Sequence, residues 1–207
     1  MVLQSNRKSD TRQESVITQF LENGFFSKYG KPYEIVRDKE RQVKGIDVTL
    51  NGKNIDIKAQ SSKRYINNPT DTFLLEISFL NKNGEEMVGW FLNNDLLTDY
   101  YAFVWIIDAT VNESGGITSA EDIHKAEMMF VDKRKLQDYI ATKYDASSLL
   151  QEADRARVAG ERVSEVLMDG IRFSHTPTLF EKPCNLVVKK SLLNKFSVGH
   201  YFVYGNQ

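Results

Sequence analysis

Asp47, Asp56 and Lys58 are the residues of this 207-residue sequence whose types and spacing suit a demanding reaction. Hydrolysis of a phosphodiester needs a hydroxide nucleophile near neutral pH, neutralisation of charge building on the phosphoryl oxygens, and help for the leaving oxygen. A Mg²⁺ or Mn²⁺ ion does much of this. Mg²⁺ is held by one or two carboxylates together with waters and substrate phosphate, so two aspartates meeting at one point are a sufficient cradle. A lysine beside them orients the attacking water, serves as its base if its pKa is lowered, or offsets developing charge as a cation. The backbone carbonyl of Ile57 is a further candidate oxygen ligand, and Gln60 a peripheral group.

The local pattern says how these groups are positioned. Ile46, Val48 and Leu50 alternate with Asp47 and Thr49. Asn51-Gly52 then supplies residues that tolerate the positive φ angles of a tight turn, and Ile55, Ile57 and Ala59 alternate with Asp56, Lys58 and Gln60. This predicts a β-hairpin with two unlike faces. Side chains two apart share a face, so Asp56, Lys58 and Gln60 project together while the isoleucines enter the core. A helix is predicted from Asp10 or Thr11, where Thr11-Arg-Gln-Glu14 fits a capping box, to Gly24. At 100° per residue Glu14 falls near the edge of the face carrying Ile17, Phe20 and Leu21, which makes it the candidate outer acid, by direct or water-mediated metal contact.

An acidic residue in a first helix, then Gly45-Ile46-Asp47, then Asp56-x-Lys58 on the next strand, resembles the PD-(D/E)XK nuclease superfamily, the restriction-endonuclease-like proteins. The resemblance covers roughly residues 10–110. It implies an α/β fold with an αβββαβ core, a central mixed sheet flanked by helices, a divalent metal site of Mg²⁺ or Mn²⁺, and cleavage of DNA or, less often, RNA. Asp47 matches the motif's first acid, Asp56 the second, Lys58 the lysine and Glu14 the helical acid. Ile46 stands where the motif has proline, and Gln60 has no fixed role in it. The function implied is that of an endodeoxyribonuclease. A catalytically silent domain of the same fold, binding nucleic acid or a partner, is the alternative, and an unrelated α/β interaction domain a third. Cutting two strands with one site per chain is easiest with two copies, so a homodimer is the assembly to look for.

Bland readings accompany these. Asp56 and Lys58 could form an ion pair on a solvated hairpin face, contributing only about 0–1 kcal/mol, although mid-strand Asp is disfavoured. Glu14 closes a capping box and could do no more than satisfy a backbone N–H. Ser61, Ser62, Lys63, Arg64 and Tyr65 combine hydroxyls, cations and an aromatic ring suited to phosphate contact and stacking, as a solvated loop would also do. Lys44, Lys28 and Lys31 are further candidates for contacts to a nucleic-acid backbone.

The remaining sequence bounds the answer. Hydrophobic residues make up 41% and charged residues 27%, and 12 Phe, 9 Tyr and 2 Trp supply ample apolar area for a core. Net charge is −1, yet residues 1–65 hold 13 Lys/Arg against 8 Asp/Glu, a net +5 that leaves −6 for the rest. Cys184 has no partner for an intramolecular disulfide, and MVLQSNRKSD has no apolar run to act as a signal, so a cytoplasmic protein with no membrane role is expected. His124, His175 and His200 are too scattered for a zinc site, and no phosphate-binding glycine loop or nucleophile elbow is present.

Strands are predicted at 33–36, 72–79, 101–107 (central), 128–131, 186–188 and 202–204, with an exposed turn over 37–44. Asn83-Gly84 marks a further turn. Helices are predicted at 133–143, 145–169 and 191–196. Trp90 and Trp105 read as core, and Glu76 as an outward-facing strand position. One domain spanning 1–207 is expected, with a core at 10–110 and a C-terminal α+β elaboration at 111–207.

Overall fold

The computed structural model describes residues 7–205, with side chains from Gln13 onward. The chain folds as two compact units. Among the described residues, the first comprises 7–70, 97–133 and 196–205, and the second 71–96 and 134–195. The units are interleaved in sequence.

The first unit is a mixed sheet with a helix on one face. Its strands are β1 (Tyr33–Ile35), β2 (Val48–Leu50), β3 (Lys53–Gln60), β6 (Tyr100–Ala109), β7 (Ile123–Asp132) and β11 (Ser197–Tyr204), in that spatial order. All neighbours are antiparallel except β3 and β6, which run parallel. Helix α1 (Arg7–Gly24) packs on β3 and buries Ile17, Phe20 and Leu21 in one core with Ile55 and Ile57 of β3, Val104 of β6 and Phe130 of β7. Each such side chain contributes about 1.5–3 kcal/mol when fully buried, so this apolar face, more than intrinsic propensity, holds the helix. Gly24 is its last residue, and the close approach of β11 requires glycine there: a Cβ would meet Val203 Cγ1 at 2.8 Å and the Tyr204 carbonyl oxygen at 3.0 Å.

The hairpin is present as its pattern requires. Asn51 and Gly52 take φ of 51° and 76°, the left-handed pair of a tight two-residue turn, and Val48 pairs with Ile55. Strand β6, with a strand paired on either side, is buried almost throughout.

The second unit is an antiparallel sheet ordered β5 (Glu86–Val88), β4 (Thr72–Leu80), β10 (Cys184–Lys189), β9 (Ile171–His175), β8 (Val163–Met168). Helices α3 (Lys133–Ala141), α4 (Ala146–Ala159) and α5 (Lys190–Leu193) complete the C-terminal part. Arg157 on α4 donates to Ser78 on β4 and to Glu86 on β5, both at 2.5 Å, anchoring that helix to the sheet.

Four expectations are corrected. The helix expected over 145–169 stops at Gly160, which takes φ 67° as a left-handed cap; Val163, Val166 and Leu167 belong instead to β8, paired with β9. The turn expected at 37–44 contains a short helix, α2 (Lys39–Val43), capped by Asp38, whose carboxylate accepts the Arg41 N–H at 2.8 Å. Helix α1 already includes Arg7, so Thr11 lies within it rather than at its cap; the Thr11 side chain is outside those described. The crossover from β3 to β6 contains no helix, passing instead through β4 and β5. The general α/β class holds, with a mixed sheet and helices. No described helix is long and apolar enough to cross a membrane.

Candidate active site

The hairpin brings Asp47, Asp56 and Lys58 together inside the first unit. Asp47 lies just ahead of β2, where its N–H donates to the Ile55 carbonyl at 2.9 Å and its carbonyl accepts the Val36 N–H at 2.8 Å. Its Oδ2 accepts the Ile57 N–H at 2.7 Å, which leaves Oδ1 outside that bond. Asp56 is 2% exposed. Its Oδ1 is 2.7 Å from Lys58 Nζ, while its Oδ2 is buried with no hydrogen-bond partner. An orphaned, buried carboxylate oxygen costs free energy unless something positive meets it.

The electrostatics follow from this burial. Loss of water pushes the Asp56 carboxyl up to about 7; Lys58 opposes the rise and the neighbouring Asp47 carboxylate adds to it. For Lys58, burial disfavours the ammonium, but the attraction of Asp56 and Asp47, with a smaller part from Glu14, outweighs it and the pKa rises. Lys58 is therefore held as a cation in the metal-free protein. The pair is not the solvated surface bridge that a hairpin's outer face would carry, because Asp56 is enclosed.

Two residues with no local signal in the sequence join the site. Tyr101 is Asp56's register partner on β6 and is wholly buried, and burial, then the Asp56 charge, push its hydroxyl pKa up. Lys133, 7% exposed, follows the end of β7, where its N–H donates to the Asp99 carbonyl at 3.1 Å. Burial pushes its pKa down and Asp56 pulls it back. Tyr101 reads from sequence only as an apolar strand position and Lys133 only as a helix start. Their proximity to Asp56 arises from the pairing of β3, β6 and β7.

The other candidates are placed as follows. Glu14 is exposed on α1, within electrostatic reach of Lys58. Gln60 is occupied with Thr70: its Nε2 donates to Thr70 Oγ1 at 2.9 Å and its Oε1 accepts the Thr70 N–H at 3.1 Å. Ile57 has its side chain in the core and gives its N–H to Asp47. Ser61 to Tyr65 follow β3 directly and enter a turn at Lys63, with Arg64 over the Tyr65 ring at 5.7 Å from its centroid, and Ser62, Lys63 and Arg64 exposed. Lys44, Lys28 and Lys31 are exposed, Lys31 lying 5.5 Å from the Tyr29 ring. Trp105 is core, and Glu76 lies on β4 of the second unit. Cys184 and His175 are register partners there, both fully buried, with burial pushing the thiol up to about 11.

Among the described residues no group of three or more His, Cys, Asp and Glu side chains converges on one point. Asp47 and Asp56 nonetheless fit a divalent cation. Asp56 Oδ2 lacks a partner, Asp47 Oδ1 is outside the Ile57 bond, and a hard cation filling its shell with water needs only one or two carboxylates. No family model, no curated protein and no solved structure matches the chain.

Proposed function

We propose that this chain is a divalent-metal-dependent nuclease, an endodeoxyribonuclease built on a variant of the restriction-endonuclease-like core. The observation that carries the reading is the buried Asp56 oxygen without a partner, beside Asp47 and next to the Lys58 ammonium. In this reading Asp47 and Asp56 hold Mg²⁺ or Mn²⁺, with the Ile57 carbonyl and Glu14 as further oxygen donors, Glu14 through water. The ion, when bound, acidifies a water and neutralises phosphate charge. Lys58 orients that water or offsets charge on the phosphoryl oxygens. Gln60 acts from the periphery by mooring the segment 61–70, and Ser61, Ser62, Lys63, Arg64 and Tyr65, with Lys44, contact the DNA backbone.

Cleavage of supercoiled and linear DNA in Mg²⁺ or Mn²⁺, comparing wild type with Asp56→Ala and Lys58→Ala, tests the reading. Loss of cleavage in both variants is expected; unchanged activity in both would sink the assignment. One observation favours the alternative of a catalytically silent binding domain: among the described residues no third acid converges with Asp47 and Asp56. Metal-dependent DNA binding without cleavage would select it.

A further inference from the structure

The sheet face that carries Asp56 and Lys58 continues to the far edge of the first unit. Lys58, Phe103, Met129 and His200 stand in register across β3, β6, β7 and β11. One step along, Gln60, Trp105, Glu127 and Phe202 do the same. The β6 and β7 members of these rows are buried, whereas the β11 members, His200 and Phe202, are exposed; Phe202 is 53% exposed and Tyr204, two residues further along β11, 56%. Two large aromatic rings on alternate residues of an edge strand thus face outward, about 7 Å apart along the chain.

Their surroundings say what they suit. Lys125, in register with Tyr204, places its ammonium 5.1 Å from the Phe202 ring centroid and 5.5 Å from that of Tyr204. His200 lies 6.0 Å from Phe202, ring to ring, and its Nε2 is 2.8 Å from Glu127 Oε1, which occupies that acid. Exposed rings on alternate residues, with an ammonium lying over both, match unpaired bases joined by phosphates: the rings offer their solvent-facing surface to bases and the ammonium meets the linking phosphate.

A second copy of the chain suits this edge less well. The β11–β7 ladder shifts register between Ser197 and Gly199, an irregularity that breaks the regular edge strand pairing needs. Self-association of the face would also bring two copies of Lys125 together.

We propose that the outward face of β11, formed by Phe202, Tyr204 and His200 with Lys125, is a stacking platform for single-stranded nucleic acid. It lies three strand spacings, about 14–15 Å, from β3. Its use in presenting a strand to Asp47 and Asp56 rests on the nuclease reading; its binding of unpaired bases does not.

The test is fluorescence anisotropy with the full chain in EDTA, using fluorescein-labelled oligothymidylate. Phe202→Ala/Tyr204→Ala is expected to weaken binding about tenfold or more, and Phe202→Tyr/Tyr204→Phe to keep it, with both variants melting like wild type because the side chains are exposed. Unchanged affinity in the double alanine variant, or no binding by wild type, overturns the proposal. So does a wild-type dimer in sedimentation that the alanine variant splits, which would assign the face to a second copy. Binding in EDTA is independent of turnover, so binding without cleavage in Mg²⁺ would defeat the nuclease reading and leave the platform standing.

Discussion

The Asp47 carboxylate accepts the backbone N–H of Ile57 at 2.7 Å, so one residue of the candidate metal pair also closes the hairpin that carries the other. Asp47→Ala leaves that N–H without its acceptor and is expected to cost about 1–3 kcal/mol of stability. Asp47→Asn keeps an acceptor and most of the stability while losing the charge that a cation needs. Urea denaturation and Mn²⁺ calorimetry on the two variants separate these roles. Equal stability of Asp47→Ala and wild type would contradict the structural one.

Asp56 ties stability to pH. Its carboxyl is raised by burial to about 7, against an ordinary value of about 3.9 in the unfolded chain. Between those values the folded protein holds a proton that the unfolded chain has released. Stability therefore falls as pH rises through this window and levels off above about 7, by an amount on the order of a few kcal/mol. Asp56→Asn should flatten the dependence, as seen in urea midpoints measured in EDTA across the window. On the proposed metal-site reading, added Mg²⁺ should raise the melting temperature more at pH 8 than at pH 5.5, because a cation binds the ionised form of a carboxylate.

Lys133 supplies the same carboxylate with a second cation from the end of β7. Lys133→Met removes a charge that favours ionised Asp56, so on the proposed nuclease reading the acid limb of the pH profile for DNA cleavage should move to higher pH. Lys133→Arg should return it towards wild type. A profile that does not move in Lys133→Met would show that Lys133 serves packing alone.

Gln60 grips Thr70 at both ends of its amide. Gln60→Ala is expected to cost roughly 1–3 kcal/mol for two lost bonds. Amide hydrogen exchange should quicken around Thr70, with Mn²⁺ affinity unchanged. A fall in Mn²⁺ affinity would instead place Gln60 at the ion.

The hairpin was readable because three independent signals agree there: strict alternation, the Asn51-Gly52 turn, and Asp and Lys sharing one strand face. The segment after residue 145 was not, since Val163, Val166 and Leu167 extend a helical spacing past Gly160, whose left-handed cap ends α4. Gly160 itself was the available stop signal. Strand β9, Ile171–His175, is short and falls inside polar sequence. Lys133 and Tyr101 illustrate a different limit. Nothing within several residues of either one marks it, and their relation to Asp56 exists only once β3, β6 and β7 are side by side. The exposed row on β11 escaped for the same reason: alternation shows which residues share a face, and only the sheet order shows that β11 is an edge.

The interleaving of the two units has a consequence for synthesis. On the ribosome, β7 emerges before any of residues 134–195, yet the strand that flanks it, β11, follows all of them. Until β11 arrives, β7 is itself an open edge bearing Met128, Met129, Phe130 and Val131, the kind of strand that recruits other nascent chains. A chain interrupted between α5 and β11 would carry that liability permanently, so the last strand completes the sheet and also ends its exposure to aggregation.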